Sequence, residues 1–346
     1  MTTVETTRLG GTASDVVVAK VAHGLMMMTW RPKPIPDEVA FESIKAGIDA
    51  LPPNVKMFLN SGEFYDNNWS TGNLELLSRF FEKYPEYADR TFLSVKGGIL
   101  PYKGGHPGFS ASPENLRRSV ENSNKALRGT KKIDLFESAR VDPKIPVEDA
   151  MRSLKALVEE GLIDHIGLSE CSAETLRRAC TVVPVAAVEI EISPFSWEEE
   201  TKKVLAVSKE LGVAVLAYSP LGRGFLTGSI KTLDDLEADD PRRRFTRFKP
   251  ENFQHNFVVV DRLKAIAEKK NISPSQLCIA WVGSLGDKVI PLPGSSHKTR
   301  TLENLYGGNV ELTSGEKAEL DKLIEEFEVK GDRYFGADPK TTFLWG

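Results

Sequence analysis

Tyr65 and Lys96 are the side chains whose types and placement first suggest chemistry. Tyr65 follows the apolar run "VKMFLN" (Val55–Asn60) within "FLNSGEFYDNN", and Lys96 sits inside "RTFLSVKGG" (Arg90–Gly98). A free phenol titrates near pH ~10 and is a poor acid at neutrality, but a close ammonium favours the phenolate and lowers that pKa. Side by side, the pair makes Tyr65 a proton donor tuned by Lys96. Each residue also has an ordinary reading, as a packed aromatic near a turn of Asn, Ser, Gly and Asp, or as a strand-end lysine. Lys96 alone also suits the Schiff-base nucleophile of an aldolase.

Whether the two meet depends on the elements that carry them. Eight short apolar runs return along the chain: Val16–Leu25, Val55–Asn60, Arg90–Gly98, Lys132–Ala139, Ile163–Glu170, Val185–Ser193, Val213–Pro220 and Lys288–Ser295. Helical patterns with start signals lie between them, such as Ser112-Pro113-Glu114 before "NLRRSVENSNKAL" and Pro146-Val147-Glu148 before "DAMRSLKALVEEG", which Gly161 stops. Strands buried on both faces and joined by helix-length crossovers predict a parallel sheet. Eight such units predict an α/β fold of the (β/α)8 TIM-barrel type in one domain over residues 1–346. An open doubly wound sheet would carry a Gly-rich turn after its first strand, and "HGLMMMTW" has no such spacing. Between the seventh and eighth runs lie about 65 residues with two helical patterns, "FVVVDRLKAIAEKKN" and "SPSQLCIAWVGSLG", and a connection of that length usually has its own structure or function.

In such barrels the active site lies at the C-terminal strand ends. Read that way, Tyr65 and Lys96 share one rim with Gly24–Met28, Asn60, Ala139–Arg140, Ser169–Glu170, Glu189, Glu191, Tyr218–Arg223 and Gly294–Ser296.

Composition narrows the partners. The 346 residues are 40% hydrophobic and 27% charged with net charge −4, which supplies a core and no broad basic footprint for nucleic acid or an anionic membrane. The basic stretch Pro241–Pro250, "PRRRFTRFKP", reads as a solvated loop or a phosphate grip. Cys171, Cys180 and Cys278 are too few for a disulfide framework, and His23, His106, His165, His255 and His297 show no metal-binding spacing. With no signal-peptide pattern and no apolar run of roughly 20 residues, a soluble cytoplasmic protein is expected, with the nucleus as an alternative. Its partner is a small molecule, and nothing marks an oligomeric interface.

The ordered set "MFLNSGEFYD", "FLSVKGG", "DLFESARVDP", "GLSE", "AYSPLGRGFLTG" and "IPLPGSSHKTRTLENL" resembles the aldo-keto reductase superfamily, and its details are most similar to the fungal pyridoxal reductase branch. The resemblance implies NADPH-dependent reduction of an aldehyde to a primary alcohol, with pyridoxal to pyridoxine as the branch reaction and no metal. Tyr65 matches the general acid and Lys96 the lysine that tunes it. Ser295, Arg300, Glu303 and Asn304, after Gly294, match the residues that hold the adenosine 2′-phosphate and adenine, which favours NADPH over NADH. Ser169 and Glu170 match the pair on the nicotinamide amide, although Asn is usual in the second place, and Glu189 stands where Gln is common. Tyr218 matches the stacking aromatic. Ser219, Pro220, Leu221 and Arg223 follow the pyrophosphate, and Gly24, Leu25 and Met26 border the ribose.

The family tetrad is Asp, Tyr, Lys and His, and this chain places Asn60 at the aspartate and Ala139 at the histidine. Asn60 accepts a hydrogen bond from Lys96 without neutralising it, so an unneutralised Lys96 is expected to depress the Tyr65 pKa further. Space at Ala139 is expected to admit a bulkier aromatic aldehyde, with Trp30, Glu63 and Arg140 as further substrate contacts. A rival reading from the same departures is an NADPH-binding sensor with little turnover, and another is a reductase of other aromatic or aliphatic aldehydes.

Overall fold

The computed structural model describes residues 3–104, 107–334 and 343–346; His106 lies outside them. The strands are β1 (Thr6–Arg8), β2 (Val17–Ala19), β3 (His23–Gly24), β4 (Met57–Gly62), β5 (Thr91–Gly97), β6 (Leu135–Ser138), β7 (His165–Ser169), β8 (Ala187–Glu191), β9 (Ala214–Tyr218) and β10 (Val289–Leu292). The helices are α1 (Met26–Thr29), α2 (Asp37–Asp49), α3 (Gly72–Lys83), α4 (Pro113–Leu127), α5 (Val147–Glu159), α6 (Ala173–Cys180), α7 (Glu199–Leu211), α8 (Pro250–Lys270), α9 (Pro274–Gly283), α10 (Lys298–Gly307) and α11 (Ser314–Glu326).

β3 to β10 form one parallel sheet in sequence order. The sheet curls until its ends meet: the Ala22 and Gly24 amides donate to the Pro291 and Pro293 carbonyls at 2.9 and 3.0 Å, and a parallel bridge joins Gly24 to Gly294. The expected eight-unit barrel is what the chain forms.

One run differs from its expectation. Val16–Leu25 is not a single strand: Val17–Ala19 pairs antiparallel with β1, and only His23–Gly24 enters the barrel. The Gly10 amide donates to the Ala186 carbonyl at 3.0 Å, and Leu9, Ala13 and Val18 join one buried cluster with Phe58, Phe92, Leu135, Ala187, Leu216 and Ile290. The hairpin therefore closes the N-terminal end of the barrel with apolar side chains.

Period-two alternation sorts each strand. In β5, Leu93 and Val95 pack outward in the large core shared with the helices, whereas Phe92 joins the inner cluster. Ser94 and Lys96 follow Phe92 on the same face, so the barrel interior turns from apolar to polar toward the C-terminal strand ends. Helix start signals hold in detail. The Ser112 hydroxyl accepts from the Asn115 amide at the start of α4, and Ser273 with Gln276 forms a capping box on α9. α8 begins at Pro250, one turn and more before the expected "FVVV" run, because proline at a first helical position is pre-set for a helix.

The stretch Pro241–Pro250 is neither a free solvated loop nor an open phosphate grip. Arg242 pairs with Asp240 at 2.7 Å, Arg243 donates to the Leu233 carbonyl at 2.7 Å, and Arg247 donates to the Phe195 carbonyl at 2.6 Å. Arg242 and Arg243 brace the connection internally, and Arg247 ties it to the segment that follows β8.

Candidate active site

Lys96 closes β5 beside β4, with Gly62 and Lys96 in register. Just past Gly62 the chain turns back, so that the Tyr65 ring folds over the strand end. A Cβ on Gly62 would stand 3.0 Å from Tyr65 Cδ1, and glycine there gives the ring its place. Neighbouring elements fix the turn: the Thr29 hydroxyl donates to the Tyr65 carbonyl at 2.5 Å, and Asn73 Nδ2 donates to Thr29 Oγ1 at 2.8 Å. Lys96 Nζ then lies 5.1 Å from the centre of the Tyr65 ring. The two expected catalytic residues meet.

Below them is a buried polar triangle. Lys96 Nζ donates to Asn60 Oδ1 at 2.5 Å and to Glu189 Oε2 at 2.9 Å, while Asn60 Nδ2 donates to the same Glu189 Oε2 at 2.6 Å. All three side chains are buried. Two expectations are corrected here. Glu189, matched to the nicotinamide site by resemblance, is committed to Lys96 and Asn60; and Lys96 is not left unneutralised, because Glu189 forms an ion pair with it.

The Tyr65 pKa is accordingly not depressed. Burial, the largest influence, outweighs the pull of Lys96, the Glu189 charge adds to it, and the phenol is pushed up to about 12. Burial would lower the Lys96 ammonium, but Glu189, Tyr65 and Glu137 together hold it above the ordinary lysine value. Glu137 also lies inside the barrel, level with Lys96 on β6. Its Oε1 accepts from Ser94 and its Oε2 has no hydrogen-bond partner. Burial first, and then Glu189, hold it well above the usual carboxylate range. A Cβ on Gly167 would meet Glu137 Cγ at 2.8 Å, which explains the side-chain-free position in β7.

Around Tyr65 the wall is aromatic. Phe64, Tyr65, Ile99 and Ala139 form a small cluster against which Trp30, Trp69 and Phe109 pack, with the Trp30 ring 5.8 Å from Tyr65 and 5.0 Å from Trp69. Trp30 thus stands beside Tyr65. Ala139 is fully buried within this cluster, and its amide donates to the Gly97 carbonyl at 2.9 Å, so the open space expected at its side chain is not found. Glu63, expected as a substrate contact, is committed elsewhere. Its carboxylate turns into α4, accepting from Arg118 Nη1 at 2.7 Å, Asn122 Nδ2 at 3.0 Å and the Ser119 hydroxyl.

On the opposite side, Glu170 is held by Arg333 Nη2 at 2.6 Å and accepts from the Glu191 amide at 3.2 Å, which makes it an internal counter-ion and not a free acceptor for an amide. Ser169 is buried at the end of β7. The Tyr218 hydroxyl lies 3.3 Å from that of Tyr334, and Arg223 pairs with Glu191 at 3.2 Å while stacking 4.4 Å from the Phe245 ring centre. Arg140 Nη1 donates to the Ala139 carbonyl at 2.5 Å and Nη2 to the Tyr334 hydroxyl at 3.4 Å. Burial raises the Tyr334 phenol, but Arg140 and Arg223 outweigh it and bring it below its ordinary value. Ser219, Pro220 and Leu221 continue from β9, with Ser219 in the left-handed region at φ 52°.

At the barrel seam, Gly24, Leu25 and Met26 adjoin Gly294. The Ser295 hydroxyl is bonded to Thr301 Oγ1 at 2.7 Å at the start of α10, and the Ser295 carbonyl accepts from His23 Nε2 at 2.9 Å. Arg300 is exposed in the first turn of α10, which contains no acidic residue. Glu303 accepts from the Ser273 hydroxyl at 2.6 Å, and Asn304 is buried one residue further on.

Sequence reasoning missed Trp69, Phe109, Glu137, Arg333 and Tyr334. Trp69 had a signal, four residues after Tyr65; Arg333 and Tyr334 had none, because only the return of the C-terminal segment brings them to the rim. Among the described residues no group of three or more His, Cys, Asp or Glu is arranged to hold a metal, and no helix is long and apolar enough to cross a membrane.

The aldo/keto reductase family model matches residues 20–325. "Probable pyridoxal reductase 2" of Schizosaccharomyces pombe is 39% identical over 322 residues, covering 92% of this chain and 95% of the relative. The aldo-keto reductase str7 of Strobilurus tenacellus is 40% identical over 272 residues, 77% of this chain and 79% of its own. The Schizosaccharomyces pombe aldo-keto reductase yakc [NADP(+)] is 37% identical over 277 residues, 78% and 81% of the two chains. A solved glycerol dehydrogenase from Gluconobacter oxydans shares the fold at TM-score 0.76 and 24% identity, over 96% of this chain and 98% of that one. A match over most of the chain, with relatives this similar, places the protein in the aldo/keto reductase family.

Proposed function

We propose that this protein reduces an aldehyde to a primary alcohol with NADPH, and that pyridoxal, giving pyridoxine, is its substrate. The observation that carries the reading is Tyr65, buried against an aromatic wall with Lys96 Nζ 5.1 Å from its ring centre. Likeness to a probable pyridoxal reductase supports the substrate, and a wall of Trp30, Trp69, Phe64 and Phe109 suits a flat heteroaromatic ring.

The chain's residues fit the dinucleotide at its adenosine end. The first turn of α10 joins Lys298 and Arg300 with no acidic residue, a setting that favours a phosphate dianion and hence NADPH. Asn304 and Glu303 flank it, Arg223 with Ser219, Pro220 and Leu221 borders the pyrophosphate path, and Gly24, Leu25, Met26, Ser169 and Tyr218 border the nicotinamide end.

When bound, NADPH supplies the hydride. Tyr65 supplies the proton. Its phenol, pushed up to about 12, stays protonated through the neutral range. An alkoxide developing on the substrate oxygen is more basic than even this phenolate, so the proton moves from Tyr65 Oη to that oxygen. The Lys96 ammonium then faces the tyrosinate and stabilises it until solvent returns the proton.

A spectrophotometric panel tests the reading: NADPH and NADH against pyridoxal, its 5′-phosphate and simple aromatic aldehydes. Oxidation of NADPH that depends on pyridoxal and vanishes in Tyr65→Phe is the expected result; turnover of other aldehydes in preference to pyridoxal overturns the substrate. A second reading, an NADPH sensor, is favoured by Ala139, which brings no polar group to the substrate oxygen, and would show as tight NADPH binding without turnover of any aldehyde.

A further inference from the structure

We infer that the counter-charge setting the position and charge of Lys96 is carried by Glu189 on β8, with Asn60 on β4 as the amide that bridges them, so that positions 60 and 189 are chosen as a pair. The inference rests on the reductase reading for its link to turnover, and on geometry for the rest.

Glu189 Oε2 accepts from both Lys96 Nζ, at 2.9 Å, and Asn60 Nδ2, at 2.6 Å. Asn60 turns its Oδ1 to the same ammonium at 2.5 Å. The amide orientation is thereby fixed, since oxygen must face the cation and nitrogen the carboxylate. A carboxylate at position 60 would stand within hydrogen-bond distance of the Glu189 carboxylate in a site closed to water, and two such groups cannot both ionise. An amide at 60 is therefore the partner that a carboxylate at 189 requires. Glu137, the other carboxyl near Lys96, faces Ser94 instead and makes no ion pair with Lys96. Among the described residues one carboxylate answers one ammonium.

Glu189 is a positioning residue, acting on Tyr65 through Lys96. Removing its charge in Glu189→Gln leaves Lys96 with a neutral partner, which favours the phenolate. Two readouts follow. In the reductase assay kcat falls by on the order of tenfold because Lys96 loses the carboxylate that holds it in place, and the loss of activity at high pH begins at lower pH than in the unaltered protein, with KM for NADPH little changed. In difference ultraviolet titration, the phenolate signal that Tyr65→Phe removes appears at lower pH in Glu189→Gln than in the unaltered protein.

The decisive variant is Asn60→Asp combined with Glu189→Gln, which returns a single carboxylate to the reach of Lys96 from the other strand. Recovery of most of the lost kcat and disappearance of the early phenolate support the inference. A double variant no better than Glu189→Gln, or a Glu189→Gln protein whose Tyr65 titrates as before, overturns it. If Glu189→Gln does not fold, folding of the double variant is the same rescue, and failure of both overturns the inference. If the unaltered protein reduces no aldehyde, the reductase reading falls, and the titration still decides the role of Glu189.

Discussion

The two ends of this barrel are built from the same strands and do opposite things. At the N-terminal end Phe58, Phe92, Leu135, Ala187, Leu216 and Ile290 meet the hairpin residues Leu9 and Val18 in a fully apolar plug. Two to four residues further along the same strands, Asn60, Lys96, Glu137 and Glu189 are equally buried, yet polar or charged. The lower end is held by burial of area, which any well-fitting apolar set supplies. The upper end is held by particular donor and acceptor pairs, each of which is costly to leave unmet. Substitutions should therefore separate the two ends, with rate affected at one and stability at the other.

The largest separation is expected from Tyr65→Phe, which removes the proton donor while keeping the ring. Turnover should fall by about 10²- to 10⁴-fold, with the thermal midpoint little moved, as NADPH oxidation and calorimetry would read together. At the other end, Phe92→Ala should cost on the order of 3–5 kcal/mol in denaturant unfolding while kcat of the remaining folded protein is retained. A loss of kcat equal to that of Tyr65→Phe would erase the distinction.

The seam between the ends gives a pH-dependent prediction. His23 is buried, and burial lowers its pKa from 6.5 to about 4, against the smaller opposing effect of the Ser295 carbonyl. Between those values the unfolded chain binds a proton that the folded chain refuses, so stability is full above pH ~6.5 and declines as pH falls toward ~4, by on the order of 3 kcal/mol. Unfolding of His23→Gln over that range should show a shallower decline. Least in effect, Arg300→Ala should weaken NADPH by about tenfold and leave NADH nearly unchanged, since one exposed charge-assisted contact is lost. Equal weakening of both would place the 2′-phosphate elsewhere.

Much of the barrel was legible because its signals are local. Alternation within Thr91–Gly97, the Ser112 and Ser273 caps and the helix-length spacings act over a few residues and are settled before the chain closes. The first run was misjudged because its halves differ only in partner, one pairing with β1 and the other with β4 and β10. Tyr65 and Lys96 were legible from strand ends alone. Glu63 was not, since nothing in its neighbourhood tells that Arg118 and Asn122 will claim its carboxylate.

What the sequence by itself determined is the set of strands, the closed parallel barrel they imply and the tyrosine and lysine at its rim, because period and spacing are properties of adjacent residues. Only the tertiary structure decided which charges meet. Glu189 is 93 residues from Lys96, and Arg333 is 163 from Glu170; barrel closure and the return of the C-terminal segment bring them together. Burial decided the Tyr65 pKa in the same way, since the loss of water around a phenol depends on everything packed over it and overcame the one neighbour that sequence could name.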